Sequence, residues 1–199
     1  MNFIFYHSFN IFRGKECLAL RKNKMKHFLL STLLLASFSL TAQEFKGLDK
    51  SPLDMIQYPT SNRDANKSIR VLYSRPQLKG RALTKLAPHG EVWRTGANEA
   101  SEITFHTPMQ LGGTAIPAGS YSLYTIPGEK EWTVILNKAI NVWGAYNYDQ
   151  NDDLARITVP VKEAKKSLEA FSMAFESVDG GVHLHMGWDT VRIAVPFSN

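Results

Sequence analysis

The chain has 199 residues, 44% of them hydrophobic, and a formal net charge of +5. That charge is concentrated at the start: residues 1–42 hold six Lys or Arg and one acidic residue, which leaves 17 basic and 17 acidic residues in the remainder. A neutral remainder lacks the positive field that would attract nucleic acid. The single cysteine, Cys17, also lies in this first part, so the remainder has neither a thiol nucleophile nor a disulfide.

Residues 25–42 have the pattern of a secretory signal peptide. Basic residues precede the apolar run Phe28–Leu40, which is too short to span a bilayer, and small residues lead to a cleavage point at Ala42. Met25 stands directly before this block, so we expect translation to start there and residues 1–24 to be a misassigned upstream extension. The sequence therefore predicts an exported protein, periplasmic or secreted, without an integral membrane span.

The remainder is predicted to fold as one all-β domain. Residues 43–67 form an N-terminal arm that docks through Leu53, Met55, Ile56 and Tyr58, and the domain proper covers 68–199. From Ile69 onward the hydrophobic period is two, in eight short runs separated by Gly and Pro. This pattern is typical of an antiparallel β-sandwich, here jelly-roll-like. At most two short helices are expected, over Ala82–Leu86 and Lys162–Ala170.

Four motifs carry a resemblance to a known family. They are "YSRPQLKGR", "GEVWRTGANEASEITF", "IPAGSYSLYTIPGEKEWTVILNK" and "HMGWDTVRIAVPF". In these motifs, and in their order from about Ser51 to Phe197, the chain resembles a bacterial secreted family catalogued as domain of unknown function 2911. The resemblance implies an exported all-β domain with no assigned activity, and it supplies no catalytic residues.

The first candidate site is the loop that begins at Gly90. A planar guanidinium at Arg94 suits a carboxylate, Asn98 can donate and accept, and Glu99 can accept a hydrogen bond. Together with Trp93, and with Arg75 from the neighbouring motif, these side chains could bind a polar ligand. The alternative is a structural corner, in which they satisfy loop backbone groups while Trp93 fills the core. A lone carboxylate without a partnered base is weak evidence for catalysis.

The second candidate site is the loop "VWGAYNYDQNDD". Trp143, Tyr146 and Tyr148 are flat amphipathic rings beside carboxylates, a combination that suits a sugar or a peptide. The acidic residues lack the spacing of an EF-hand. The alternative is a long loop whose aromatic rings anchor it to the body of the domain.

A third pattern is His183 and His185, two residues apart on a predicted strand and therefore on one face. Such a pair can bind a metal if a third ligand joins it; His106, Glu99 and Glu176 are suitable by type. The alternative, which we prefer, is a pair of surface histidines without a metal.

These patterns favour non-catalytic binding of a small polar ligand, a glycan or a peptide, without a cofactor. The first alternative is a hydrolase or isomerase that uses Glu99 or a His183/His185 metal. The second is a structural or protein-interaction module whose free strand edges bind a partner chain. The sequence does not indicate an oligomeric state.

Overall fold

A computed structural model describes residues 21–22, 25–26 and 43–198. The chain divides into two units, residues 1–47 and 48–199. In the first unit residues 21–22 and 25–26 are helical and 43–47 are irregular. The predicted upstream extension and signal peptide otherwise lie outside the described residues. Among the residues that are described, no helix is long and apolar enough to cross a membrane.

The second unit is a β-sandwich, which confirms the predicted fold class. Its ten strands are β1 Leu53–Tyr58, β2 Ile69–Ser74, β3 Ser101–Phe105, β4 Met109–Leu111, β5 Thr114–Ile116, β6 Gly119–Ile126, β7 Glu131–Asn137, β8 Asp153–Pro160, β9 Lys162–Val178 and β10 Gly181–Ser198. They form two antiparallel sheets, a six-stranded one in the order β1-β2-β3-β6-β7-β8 and a four-stranded one in the order β5-β4-β10-β9. One α-helix, Leu83–Leu86, and one 3-10 turn, Gln150–Asp152, interrupt the strands.

Alternation of side chains places the core between the two sheets. In β2 the buried hydrophobic residues are Ile69, Val71 and Tyr73, and in β10 they include Val182 and Leu184. Successive side chains of a strand point to opposite faces, so one face of each sheet is apolar and packs against the other sheet. An aromatic cluster of Trp93, Trp132, Phe171 and Trp188 fills one part of this core.

Two of the sequence expectations about local structure have different outcomes. The short helix predicted over Ala82–Leu86 is present as Leu83–Leu86. The helix predicted over Lys162–Ala170 is wrong, because these residues are the first half of β9 and pair with the last strand. Lys, Glu, Ala and Leu favour helices on their own, but pairing with a neighbouring strand outweighs that weak preference.

The predicted N-terminal arm contains an additional strand. Residues 53–58 form β1 at the edge of the six-stranded sheet, in register with β2 from Leu53 opposite Ser74 to Tyr58 opposite Ile69. As expected, Ile56 and Tyr58 pack against the core, whereas Leu53 and Met55 are exposed.

Candidate functional site

Trp93 anchors the Gly90 loop in the core. Its backbone forms a two-way bridge with Thr125, with N–H to oxygen distances of 2.7 and 3.0 Å. The indole is 6% exposed; it stacks on Trp188 at 5.5 Å and meets Phe171 edge-on at 5.0 Å. The structure thus places Trp93 among core residues, as the structural alternative expected for this side chain.

The inner half of the loop is held by buried polar groups. Thr95 is fully buried, with φ +54, and its hydroxyl donates to the Trp93 carbonyl at 3.3 Å. The Ser101 hydroxyl donates to the Thr95 carbonyl at 2.7 Å. Because these groups satisfy each other inside the fold, the bend has a fixed shape. The sequence analysis missed both residues, for which only the turn-forming neighbour Gly96 was a signal.

Arg94 and Asn98 lie on the outer half of the same loop, both half-buried. The Nη1 of Arg94 donates to the Asn98 carbonyl at 3.0 Å, and the same carbonyl accepts the Gly144 N–H at 3.1 Å. The Arg94 guanidinium lies over the Tyr146 ring, 5.7 Å from its centroid, within the range of a cation–π contact. The guanidinium is thus oriented by one backbone oxygen and one ring.

The structure brings the first two predicted sites together. Glu99, which is exposed, forms an isolated antiparallel bridge with Trp143, and the Ala100 N–H donates to the Val142 carbonyl at 3.0 Å. Residues opposite each other in such a pair have side chains on the same side, about 5 Å apart at Cβ. Glu99 and Trp143 therefore share a face, and the loops that hold them form one surface.

Two large aromatic side chains of that surface face solvent. Trp143 is 60% exposed and Tyr146 is 76% exposed. Between them Gly144 has φ +70, and a Cβ there would lie 2.7 Å from the Tyr146 ring. Only glycine allows this close approach without strain. We define the Arg94 surface as Arg94, Asn98, Glu99, Trp143 and Tyr146.

Asp49 borders the Arg94 surface from the segment before β1, and no sequence signal connected it with the loop. Its carboxylate accepts the Ser51 N–H at 2.7 Å. That N–H, and secondarily the Asn98 side chain, lower the pKa of Asp49 below its ordinary value. The carboxylate is thus held in its charged form by hydrogen bonds.

Tyr148 differs from the other two rings of its loop, because it supports the loop from within. Its hydroxyl donates to Asp153 at 2.7 Å and contacts Arg156, and its ring meets Tyr124 edge-on at 5.2 Å. Burial, and then the neighbouring carboxylate of Asp153, raise the pKa of Tyr148 to about 12. The structure separates Tyr148 from the exposed pair Trp143 and Tyr146.

Arg75 lies between strands and not in the Gly90 loop. Its guanidinium contacts Asp54 at 3.0 Å, the Phe171 carbonyl at 3.0 Å and the Ser172 hydroxyl at 2.7 Å. These three acceptors belong to β1 and β9, so Arg75 connects the two sheets along one side of the sandwich.

The histidine pair lies on the outward face of the four-stranded sheet. His183 and His185 alternate with the buried Val182 and Leu184, and their ring centroids are 6.0 Å apart. Of the three acceptors considered for a third ligand, Glu176 is the one beside them: its Oε2 lies 2.6 Å from His185 Nε2.

A separate cleft of about 450 Å³ was not foreseen from the sequence. Its lining residues are Lys50, Ser51, Gln77, Lys79 and Arg81. Arg81 is already used locally, since its guanidinium donates to the carbonyls of Leu78 and Gln77.

Comparison with protein families assigns the chain. The model of the family described as "Protein of unknown function (DUF2911)" matches residues 51–197, and the chain belongs to this family. A search among curated proteins found no significant match. A search among solved structures also found none.

Proposed function

We propose that this member of the DUF2911 family is an exported, non-catalytic binding protein that holds a glycan on the Arg94 surface. One observation carries the proposal: two exposed aromatic rings lie together with charged residues, since the Arg94 guanidinium lies over the Tyr146 ring and Glu99 is opposite Trp143 in a backbone bridge. A sugar ring offers an apolar face for stacking and hydroxyl groups around its edge. Aromatic rings with a few placed polar groups are the usual lining of such sites.

The chemistry of the Arg94 surface favours binding over catalysis. The guanidinium of Arg94 has free donors beyond the one that reaches the Asn98 carbonyl, because it carries five N–H groups in a planar fork. Glu99 supplies an acceptor and Asp49 a second one nearby. Neither carboxylate has a described hydrogen bond to a histidine or another base, and a carboxylate without such a partner is weak evidence for acid–base catalysis.

Export is the part of the proposal that rests on the sequence. The signal-peptide pattern of residues 25–42 would take the domain into the envelope or out of the cell, where glycans are abundant ligands. A peptide is the alternative ligand, because an amide unit also combines a flat face with donors and acceptors.

Binding should be measured by isothermal titration calorimetry of the purified protein against soluble oligosaccharides and, in parallel, short peptides. We expect saturable binding of an oligosaccharide. Tyr146→Ala and Arg94→Ala should each weaken it about tenfold or more, since anchor residues of an interface contribute about 2 kcal/mol or more. Met55→Ala is the matched control, because Met55 is also an exposed large apolar side chain, 51% exposed, and lies on strand β1 and not in the Arg94 surface.

The outcomes separate the candidates. Saturable peptide binding that is lost in Tyr146→Ala and Arg94→Ala would show that the ligand of this site is a peptide and not a glycan. Oligosaccharide binding that is equally strong in Tyr146→Ala, Arg94→Ala and Met55→Ala would contradict the site. Absence of binding across both panels would leave the Arg94 surface as a structural corner.

A further inference from the structure

Strands β9 and β10 bring three metal-ligating side chains to one point. His183 lies directly opposite Glu176 in the register of the two strands, and His185 lies opposite Ala174, one step along the same face. One imidazole nitrogen of each histidine and one oxygen of the carboxylate all lie within 4.8 Å of one another. Residues opposite and diagonal on one face of an antiparallel pair are the neighbours that interact.

The backbone beneath this cluster is fixed. β10 pairs with β9 in unbroken register from Gly181 opposite Val178 to Gly187 opposite Ser172, and the chain between the two strands is the tight turn Asp179–Gly180. The inward residues Val182 and Leu184 are fully buried. A ligand arriving at the cluster therefore requires only side-chain rotation, and the backbone positions are already set.

We propose that His183, His185 and Glu176 form a binding site for a divalent transition-metal cation of the zinc class. Two imidazole nitrogens and one carboxylate oxygen are a donor set that zinc uses, at distances of about 2.0–2.2 Å. Two ligands of one tetrahedral zinc ion are then about 3.4 Å apart. The His185–Glu176 contact of 2.6 Å must widen slightly, and the other separations, which are at most 4.8 Å, must adjust to the same value. Rotation about side-chain bonds supplies movements of that size.

The site would be open on its outer side. His185 is 41% exposed and Glu176 is 62% exposed at the side chain, so three protein ligands leave a coordination position that faces solvent. Without a metal, the hydrogen bond between His185 and Glu176 holds the pair together. The cation would take the place of the hydrogen bond between them, and the neutral imidazole of His185 would carry its proton on the other ring nitrogen, because a metal binds through a nitrogen that is free of protons.

This site is independent of the Arg94 surface, since it stands on different residues of the other sheet. Each of the two proposals can therefore fail without the other.

The test is a titration of the purified, tag-free full chain with Zn²⁺, followed by calorimetry and by the imidazole signals in NMR spectra. We expect one site whose affinity falls about tenfold or more in His183→Gln, in His185→Gln and in Glu176→Gln. His106→Gln is the control, because His106 is an exposed histidine outside the cluster, and it should bind as the wild type does. The signals of His183 and His185 should shift, and that of His106 should not.

Thermal unfolding without metal verifies that each variant is folded, and Zn²⁺ should raise the melting temperature of the wild type more than that of the three cluster variants. Cys17, His7, His27 and His89 are present in every variant, so they contribute an equal background. Zinc affinity that is unchanged in all three cluster variants would overturn the proposal. So would the absence of saturable binding up to about 1 mM Zn²⁺, which is the weakest range of specific affinity.

Discussion

Neighbouring residues of the Gly90 loop serve opposite purposes because the backbone there is extended. Trp93 enters the aromatic core, and the next residue, Arg94, turns outward to Tyr146. Successive side chains of an extended segment point to opposite faces, so the bridge between Trp93 and Thr125 determines both orientations at once. The structural interpretation of this loop describes Trp93, and ligand binding stays a proposal for Arg94.

Tyr148 and Tyr146 form a matched pair for testing which ring supports the loop. Tyr148→Phe removes a hydroxyl that donates to Asp153 and contacts Arg156. We expect the free energy of unfolding to fall by about 1.5–3 kcal/mol, the range for a hydrogen bond to a charged group. Tyr146→Phe should change it by less than about 0.5 kcal/mol, because that side chain is exposed. Urea denaturation of both variants measures this, and equal effects would contradict the assigned roles.

The same tyrosine predicts a dependence of stability on alkaline pH. The folded protein raises the pKa of Tyr148 from 10.0 to about 12, so it holds the neutral form more strongly than the unfolded chain does. This contribution is fully present below pH 10 and is lost as the pH rises toward 12. Urea denaturation at several pH values should show a steeper decline over that window in the wild type than in Tyr148→Phe. Parallel declines would show that Tyr148 does not titrate as described.

At the scale of elements, Arg75 is the main polar connection between β1 and β9. The ion pair with Asp54 is partly solvated and contributes little by itself, but the guanidinium also serves a carbonyl and a hydroxyl of β9. Tyr58 adds a further link, with its hydroxyl 2.9 Å from that of Ser177. These contacts attach an edge strand of one sheet to an edge strand of the other.

Removing the Arg75 contacts between β1 and β9 should lower the stability of the domain. Arg75→Ala is expected to lower the free energy of unfolding by about 1–2 kcal/mol, and Arg75→Lys should recover only part of it, because an ammonium group lacks the planar fork. Arg63→Ala, at an exposed arginine, is the control. Guanidinium denaturation provides the comparison. If Arg75→Ala were as stable as the control, the attachment of β1 to β9 would not depend on this side chain.

The fold class was predictable from the sequence because the inward face of most strands alternates strictly. The strand conformation of the first half of β9 was not predictable. Its sequence "KEAKKSLEA" is exposed at most positions and shows no hydrophobic period of two. Leu168 and Ala170 are only half-buried there. The pairing partner, β10, decides the conformation, and a single-sequence pattern contains no information about partners.

Each of the two loops of the Arg94 surface could be identified from the sequence, but their contact with each other could not. Their residue types, an arginine with a carboxylate and a group of aromatic rings, are visible in the sequence. Their contact depends on the bridge between Glu99 and Trp143, which joins residues 44 positions apart in a region without strand alternation. The position of Asp49 beside Asn98 was not predictable either, because these residues are 49 positions apart and no sequence pattern links them.

At the scale of the whole molecule, the core and the proposed binding surface use the same residue type in different environments. Three of the four tryptophans, Trp93, Trp132 and Trp188, are buried, and Trp143 is exposed. An exposed large aromatic residue next to another one is unusual on a protein surface unless something binds there. We therefore expect the three buried tryptophans to contribute to stability and the exposed Trp143 to contribute to the proposed binding.

Truncation of two tryptophans should make this separation measurable. Trp93→Ala is expected to lower the free energy of unfolding by about 3–5 kcal/mol, since it leaves a cavity between Trp188 and Phe171. Trp143→Ala should change it by less than about 0.5 kcal/mol. Calorimetric melting of the two variants tests this. A large loss of stability in Trp143→Ala would place that ring in the core.

The proposed glycan site on the Arg94 surface is tested most directly by an NMR titration. It follows the four tryptophan indole N–H signals during addition of soluble oligosaccharides. We expect an oligosaccharide to shift the signal of Trp143 and to leave those of Trp93, Trp132 and Trp188 nearly unchanged, and the Trp143 shift should be lost in Arg94→Ala. A Trp143 signal that stays in place with every oligosaccharide, while the protein is folded, would contradict it.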